Sequence, residues 1–345
     1  MSKKVLVGMS GGIDSTIAAL LLKQDGYEVE GLYMKLHNNP GYHEIHLKRA
    51  QKAADFVGMK LHVLDLQDEF EKNVFQPFIK TYEKGETPNP CALCNRELKF
   101  GKMVEFADSI KADFIATGHY IKTDGEFFYQ ASDDTKDQSY FLFYVEKSLL
   151  KRLLFPLGER KKSDIKAFAA TIKGLEEFAT QAESSEICFV PTTYTDFLKD
   201  YVEVDKEGEV LDKDGNVVGK HKGYMHYTIG KRRGFSVHGA HDPHFVLEIK
   251  PKTNQIVVGK RDDLACRYVE LENLNMFIDK TEFSTTVKLR YRTRAVKCQV
   301  SINDNKAILE LEDDVYGVAV GQAAVFYDED KLIGGGWISA TKKEI

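Results

Sequence analysis

Residues 4–9, Lys4-Val5-Leu6-Val7-Gly8-Met9, form an apolar run that passes without a linker into Ser10-Gly11-Gly12-Ile13-Asp14-Ser15-Thr16. A buried strand that ends in a glycine-rich turn and opens a helix is the feature that most restricts the fold. Consecutive glycines let backbone N–H groups converge on an anion without side-chain clash. The start of the following helix adds partial positive charge. Ser10, Ser15 and Thr16 supply hydroxyl donors, and Asp14 is the natural candidate for a magnesium ion bridging phosphates. A plain strand-to-helix turn with an N-cap has the same outline, but the density of glycine and hydroxyl residues directly after the first strand favours a phosphate site. The GxxxxGK[ST] lysine is missing, which excludes a P-loop NTPase. GxGxxG is missing too, which excludes a dinucleotide fingerprint.

The same alternation continues downstream. Residues 29–34, 61–64 and 113–116 read as strands; 15–24, 47–57 and 97–109 read as helices, with a further helical stretch over 69–82 interrupted near Pro77. Strands interleaved with helices imply a doubly wound parallel sheet, with ligands at the carboxyl ends of its strands. The pattern changes near residue 195. Lys213-Asp214-Gly215-Asn216 is a hairpin signal, and 287–291, 296–302, 307–312 and 323–327 read as short strands of a small barrel. The expected architecture is α/β: a catalytic domain over 1–195, a central β-rich domain over 196–264 and a C-terminal β-barrel over 265–345.

Met1-Ser2-Lys3-Lys4 leads directly into the first strand, leaving no room for a signal peptide. No apolar run approaches the ~18 residues of a membrane helix, so the chain is read as cytoplasmic with no membrane partner. Its net charge of −5 means that a nucleic-acid partner needs a local basic surface rather than a global excess. The five cysteines, an odd number, argue against a disulfide framework. Cys266 and Cys298 have strand-like neighbours and are expected to be small buried hydrophobes.

The other three sit in distinctive surroundings. Cys91 and Cys94 belong to Thr87-Pro88-Asn89-Pro90-Cys91-Ala92-Leu93-Cys94-Asn95-Arg96, a proline-stiffened loop before a helix. The helix dipole and Arg96 would favour a Cys94 thiolate. Cys188 lies in Ser184-Ser185-Glu186-Ile187-Cys188-Phe189-Val190-Pro191. A thiolate attacks electrophilic carbon or sulfur well, and two such cysteines suit sulfur transfer. Cys91-x-x-Cys94 is also half of a zinc site, and Cys188 has a structural reading as a core residue.

Ser-Gly-Gly-x-Asp-Ser resembles the signature of PP-loop ATP pyrophosphatases, which cleave between the α- and β-phosphates and adenylate a substrate. With residues 87–100 (TPNPCALCNRELKF), Thr117-Gly118-His119-Tyr120, Lys136-Asp137-Gln138-Ser139, Glu186-Ile187-Cys188-Phe189, Gly223-Tyr224-x-x-Tyr227-Thr228-Ile229-Gly230-x-Arg232-x-Gly234 and Arg290-Tyr291-Arg292, nearly the whole chain is similar to the MnmA family of bacterial tRNA-specific 2-thiouridylases. The resemblance implies ATP-dependent 2-thiolation of the wobble uridine, position 34, in the tRNAs for Lys, Glu and Gln. It implies an ATP site at Gly8, Met9, Ser10, Gly11, Gly12, Ile13, Asp14, Ser15, Met34 and Gly118. It makes Cys188 the persulfide carrier and Cys94 the second catalytic cysteine that pairs with it. It implies tRNA contacts at Asn89, Pro90, Cys91, His119, Lys136, Asp137, Gln138, Arg290, Tyr291, Arg292 and Gln322, and a sulfur-donor protein of a cysteine desulfurase pathway. Two places depart from the pattern: Cys91 stands where many members carry Asp, and the segment over 36–46 is short and lacks the paired cysteines and acidic residues often found there.

In that segment His43 and His46, three residues apart, read as a solvent-facing helix start. Lys220, Lys222, Lys231, Arg232 and Arg233 bracket Tyr224 and Tyr227, and Arg290, Arg292, Arg294 and Lys297 form a second basic cluster. Cations pair with phosphates and aromatics stack bases; a solvated charged face is the alternative. Two other functions fit parts of the sequence: an amide-forming PP-loop synthetase, which has no use for the cysteines, and a non-catalytic RNA-binding module.

Overall fold

A computed structural model describes residues 2–179, 187–238 and 242–344. The first sheet is fully parallel, β1 (Lys4–Gly8), β2 (Glu28–Lys35), β3 (Leu61–Asp65), β4 (Phe114–Ala116) and β7 (Leu153–Leu154), in the order β3-β2-β1-β4-β7. The crossover helices are α1 (Ile13–Gln24), α2 (Tyr42–Val57) and the composite segments described below. Val5, Leu6 and Val7 are fully buried because β1 is central and helices cover both faces. The order reverses at β1, which pairs with β2 on one side and β4 on the other. A crevice at the carboxyl ends of β1 and β4 follows from that switch point.

Two helical segments depart from α geometry. The stretch expected over 69–82 is α3 (Gln67–Phe70), a π-helical turn Glu71–Phe75 and α4 (Gln76–Glu83). The interruption falls just before Pro77, which cannot donate to the helical ladder. The helix expected from residue 97 starts earlier: α5 (Pro90–Cys94) runs into a π-helical stretch Asn95–Lys102 and then α6 (Met103–Ser109). Gly101 lets this widened stretch close, since a Cβ there would lie 2.9 Å from the Arg96 carbonyl oxygen.

The described residues fall into two compact units. The first comprises Met1–Val74, Cys91–Ser185 and Glu329–Ile333. Besides the parallel sheet it holds the short hairpin β5 (Lys122–Thr123) and β6 (Phe128–Tyr129), and α7 (Lys162–Ala170) and α8 (Glu176–Ala179). Lys331 and Leu332 add an edge to this hairpin by pairing with Tyr129 and Phe128. Its core joins the sheet to α1, α2 and α7 through Val5, Val7, Ile17, Tyr33, Ala53, Ile165 and Phe178.

The second unit comprises Phe75–Pro90, Glu186–Asp328 and Gly334–Ile345. It contains α9 (Tyr194–Leu198) and a four-stranded sheet in the order β10-β11-β8-β9, formed by β8 (Gly208–Leu211), β9 (Val217–His221), β10 (Phe245–Lys250) and β11 (Gln255–Gly259). The hairpin signal is realised between β8 and β9. Asp212 accepts from the Asp214 and Asn216 amides at 2.9 and 2.8 Å, and Gly215 takes φ +86°. The C-terminal strands β12 (Ala265–Met276), β13 (Glu282–Lys288), β14 (Val296–Asn303), β15 (Lys306–Tyr316), β16 (Ala323–Asp328) and β17 (Lys331–Lys342) run in the order β12-β15-β14-β13-β16-β17. Pairing of β12 with β17 closes the barrel and removes its open edge. Cys266 and Cys298 are buried in these strands, and desolvation raises their thiol pKa values to about 11 and about 12, as expected of inert small hydrophobes. No helix among the described residues is long and apolar enough to cross a membrane.

Candidate active site

The glycine turn occupies the carboxyl edge of β1, as its sequence requires. Gly11 adopts φ +78°, and a Cβ there would lie 2.7 Å from the His46 carbonyl oxygen of α2. Gly12 is the N-cap of α1 and no side chain caps that helix, which leaves its amino end available to an anion. Ser10 is exposed, whereas Ser15 shapes the loop from inside. The Ser15 Oγ lies 3.2 Å from the Ser10 Oγ and donates to the Gly12 carbonyl at 3.1 Å. Thr16, expected to be a donor to phosphate, is 0% exposed and gives its hydroxyl to the Gly12 carbonyl at 2.9 Å. It pins the helix start and is not a ligand group.

The end of β4 closes on the same place. A Cβ on Gly118 would lie 2.7 Å from the Asp14 carbonyl carbon and 2.8 Å from the Ser15 nitrogen, so only glycine permits this approach. Met34 sits half-buried at the carboxyl end of β2, beside β1. All ten residues nominated for ATP therefore lie in one unit, on the carboxyl edges of β1, β2 and β4 or the first turn of α1.

Asp14 is not free to act as a bare carboxylate. Lys162 places its Nζ 2.6 Å from both Asp14 oxygens, and the Tyr120 hydroxyl donates to Oδ1 at 2.9 Å. Sequence reasoning missed Lys162, which is 148 residues from its partner. Among the described residues no group of three or more His, Cys, Asp or Glu side chains is arranged to hold a metal ion. The Asp14 carboxylate, expected to hold magnesium, is held here by the Lys162 ammonium.

Histidines line the same region. His43 and His46 are half-buried instead of solvent-facing. The His43 Nε2 lies 2.6 Å from the His37 carbonyl, which can only accept, so Nε2 carries the proton and Nδ1 accepts from the Tyr33 hydroxyl at 2.8 Å. The His46 ring stacks on Tyr42 with centroids 4.0 Å apart. Burial, helped by the neighbouring His43 and His46, lowers the His37 pKa to about 4. His119, whose Nδ1 lies 2.7 Å from the Thr117 hydroxyl, is pushed down to about 3 by desolvation and then by Lys99. Both rings are neutral in the fold at pH 7, while in the unfolded chain they titrate near the ordinary value of about 6.5. As pH falls below that value the unfolded chain takes up protons that the folded one refuses, so stability falls. Urea unfolding followed by circular dichroism should give a lower midpoint at pH 5 than at pH 7. A midpoint that is unchanged or higher at pH 5 contradicts this assignment.

Cys94 is buried in the second turn of the helix that starts at Pro90, directly before the π-helical stretch; Cys91, one turn earlier, is half-buried. Widened helical turns recur at functional sites because they re-aim side chains. Arg96, two residues after Cys94, has partners of its own. Its guanidinium lies 4.4 Å from the Tyr144 ring centroid, donates to the Tyr144 carbonyl at 3.0 Å and pairs with Glu146.

The loop before this helix belongs to the second unit, where Gln322 donates to the Thr87 and Pro88 carbonyls at 3.1 and 2.9 Å, and Thr87 donates to the Val320 carbonyl at 2.9 Å. Gln322 thus holds the loop that carries Asn89 and Pro90, both buried. Cys188 is exposed in the second unit, on a turn closed by the Val190 amide and the Ile187 carbonyl at 3.0 Å. The next residue, Phe189, is 2% exposed, with ring centroids 5.2 Å from Phe78 and 5.7 Å from Phe197. This aromatic anchor fixes the turn on which Cys188 is exposed. Ser184, Ser185 and Glu186 lie outside the described residues.

The nominated tRNA contacts divide by exposure. Arg290 and Arg292 are exposed and Tyr291 half-buried, on the turn that joins β13 to β14. Lys136 is half-buried beside Asp137, which is 5% exposed and accepts from the Ala131 and Ser139 amides at 3.1 and 3.2 Å and the Ser139 hydroxyl at 2.8 Å. Asp137 therefore builds the loop, and Gln138 accepts from the Tyr120 amide at 2.9 Å. Of the two tyrosines expected to offer rings to bases, Tyr227 is buried and donates to the Gly234 carbonyl, whereas Tyr224 is half-buried and donates to the Glu83 carbonyl at 2.9 Å. Lys231 donates to the His226 carbonyl at 2.6 Å, and its burial lowers its pKa.

Comparison with known proteins agrees with this layout. Residues 3–192 match the model of a "tRNA methyl transferase HUP domain", 195–260 that of a "tRNA methyl transferase PRC-barrel domain" and 266–338 that of an "Aminomethyltransferase beta-barrel domain". The chain is 71% identical to a tRNA-specific 2-thiouridylase MnmA of Sulfurimonas denitrificans, over 98% of this chain and 99% of that one. It is 55% identical to the MnmA 1 of Aliarcobacter butzleri over 99% of both, and 54% identical to a Campylobacter jejuni MnmA over 97% of this chain and 99% of the relative. The uncapped glycine turn, the exposed Cys188 and the buried Cys94 all lie within these aligned spans, and the chain belongs to the tRNA-specific 2-thiouridylase MnmA family.

Proposed function

We propose that this chain uses ATP to activate the C2 oxygen of the wobble uridine, position 34, of tRNA and replaces that oxygen with sulfur carried on Cys188. The observation that carries the reading is the uncapped, glycine-lined start of α1 at the switch point, in a chain 71% identical to a 2-thiouridylase. The uridine O2 attacks the α-phosphorus of ATP bound over residues 8–15, Met34 and Gly118, and pyrophosphate leaves. Magnesium arrives with the triphosphate as part of the substrate. The loop amides and Ser10 bear the charge that develops on the phosphates.

A persulfide on Cys188 then attacks C2 through its outer sulfur, and AMP departs with the former uridine oxygen. The Cys94 thiolate attacks the inner sulfur of Cys188. That breaks the bond to the transferred sulfur, whose electron pair forms the C=S bond, and leaves a Cys94–Cys188 disulfide for a cellular reductant. The persulfide comes from a donor of a cysteine desulfurase pathway. The base leaves its stack to react, with Asn89, Pro90 and Cys91 beside it and His119, Lys136, Asp137, Gln138, Arg290, Tyr291, Arg292 and Gln322 on the tRNA side. The tRNAs for Lys, Glu and Gln are the substrates, a division near residues 195 and 264 separates catalytic, central and barrel domains, and the enzyme works in the cytoplasm.

Incubation with ATP, a cysteine desulfurase with cysteine as the source of persulfide sulfur, and unmodified tRNA, followed by mass analysis of the digested nucleosides, tests this reading. Thiouridine that forms only when ATP is present supports it. Pyrophosphate release with no thiouridine points to another adenylating enzyme, and neither product points to a binding module.

A further inference from the structure

The phosphate loop, residues 8–16, contains no lysine or arginine. Backbone amides and a helix end supply partial charge, but a departing pyrophosphate gathers several full negative charges, which phosphoryl-transfer sites meet with full cations. The chain does bring one buried cation to this loop from far away. Lys162 is the first residue of α7, and Asp133 fixes that helix start by accepting from the Lys162 amide at 2.8 Å. The side chain runs back past the Tyr120 ring, with Nζ 5.7 Å from its centroid, to both oxygens of Asp14 in the first turn of α1. The Lys162 side chain is 10% exposed, whereas that of Asp14 is 33% exposed, so the pair opens to solvent on the Asp14 side.

A buried ion pair is a poor means of stabilising a fold. Desolvating each charge costs several kcal/mol, and apolar side chains of similar size often do as well. Two features mark this pair as something other than a brace. The anion sits where triphosphate binding is proposed, and the Tyr120 hydroxyl shares that anion, so the carboxylate keeps a donor if the ammonium leaves.

We propose that Lys162 is a phosphate-binding residue of the adenylation site, held beside α1 by Asp14 and Tyr120 and passed from the Asp14 carboxylate to the phosphates when ATP binds. The inference rests on the ATP reading above and assigns a residue to it. Asp14 is then a positioning residue for Lys162.

The test is calorimetric binding of ATP and of adenosine, in chelator so that no divalent ion bridges protein and phosphate. Lys162→Met should weaken ATP binding by roughly 10- to 100-fold, the range of a charged hydrogen bond, and leave adenosine binding unchanged. Lys162→Arg should recover part of the loss. The variant Asp14→Asn with Lys162→Met carries no uncompensated buried charge, so it keeps the test open if the single variant unfolds; it should show the same split between ATP and adenosine. Asp14→Asn alone should bind ATP at least as tightly as the parent, because the ammonium is released to the phosphates. ATP affinity unchanged in both Lys162 variants, or ATP and adenosine weakened equally, overturns the proposal and leaves Lys162 a structural brace. Failure of the unmodified protein to bind ATP at all overturns the ATP reading instead.

Discussion

Cys188→Ser will still release pyrophosphate from ATP in the presence of tRNA but will form thiouridine at roughly 10⁻⁴ of the parental rate or less, the scale of losing a nucleophile. The two half-reactions separate because they draw on different parts of the chain. The adenylation residues lie in the first unit, and Cys188 lies in the second on a turn anchored by Phe189. The hydroxyl that replaces the thiol keeps the turn but neither forms a persulfide nor matches thiolate nucleophilicity. Because Cys188 is exposed, the substitution removes no core packing. The thermal midpoint should therefore move little, which separates lost chemistry from lost folding. Thiouridine at the parental rate would remove Cys188 from the mechanism.

Gly118→Ala should do the converse and slow the first half-reaction. A methyl group there would stand 2.7 and 2.8 Å from backbone atoms of Asp14 and Ser15, so β4 or the start of α1 must move by several tenths of an ångström. Displacements of that order at a positioned reacting group cost about 10²-fold in rate. Pyrophosphate release and thiouridine should fall together by about that factor. Gly12→Ala makes a useful contrast: its nearest neighbour would be the Ser10 Oγ at 3.4 Å, and its backbone at φ −99° suits any residue. It should lose distinctly less. Equal rates for Gly118→Ala and the parent would show that the close approach of β4 to α1 is immaterial to ATP.

The parallel sheet and the phosphate turn were legible because both are local. Apolar runs alternating with helical periodicity dictate a covered parallel sheet, and Gly11, at φ +78°, marks a turn that favours glycine. The closed barrel was legible as a class, from its short alternating strands, but its closure by β12 and β17 was not, since no local signal encodes which distant strands pair. Lys162 escaped for the same reason: its partner is 148 positions away, and the nearest clue was the lysine absent from the loop itself. Thr16 and Tyr227 were misjudged because residue type names a polar group without saying where it points. Both hydroxyls satisfy a backbone carbonyl inside their unit, as burial demands. The early start of the Cys94 helix, at Pro90, was hidden by two prolines that read as loop; proline is welcome in the first helical position.

The central claim is that ATP activates the very oxygen that sulfur replaces. It is tested by running the thiolation reaction on tRNA whose wobble uridine carries oxygen-18 at C2 and weighing both products. Label should appear in the phosphate of AMP and none in the thiouridine formed. AMP without label, alongside thiouridine, would contradict it, because the oxygen would then have left by a route that does not pass through the α-phosphorus.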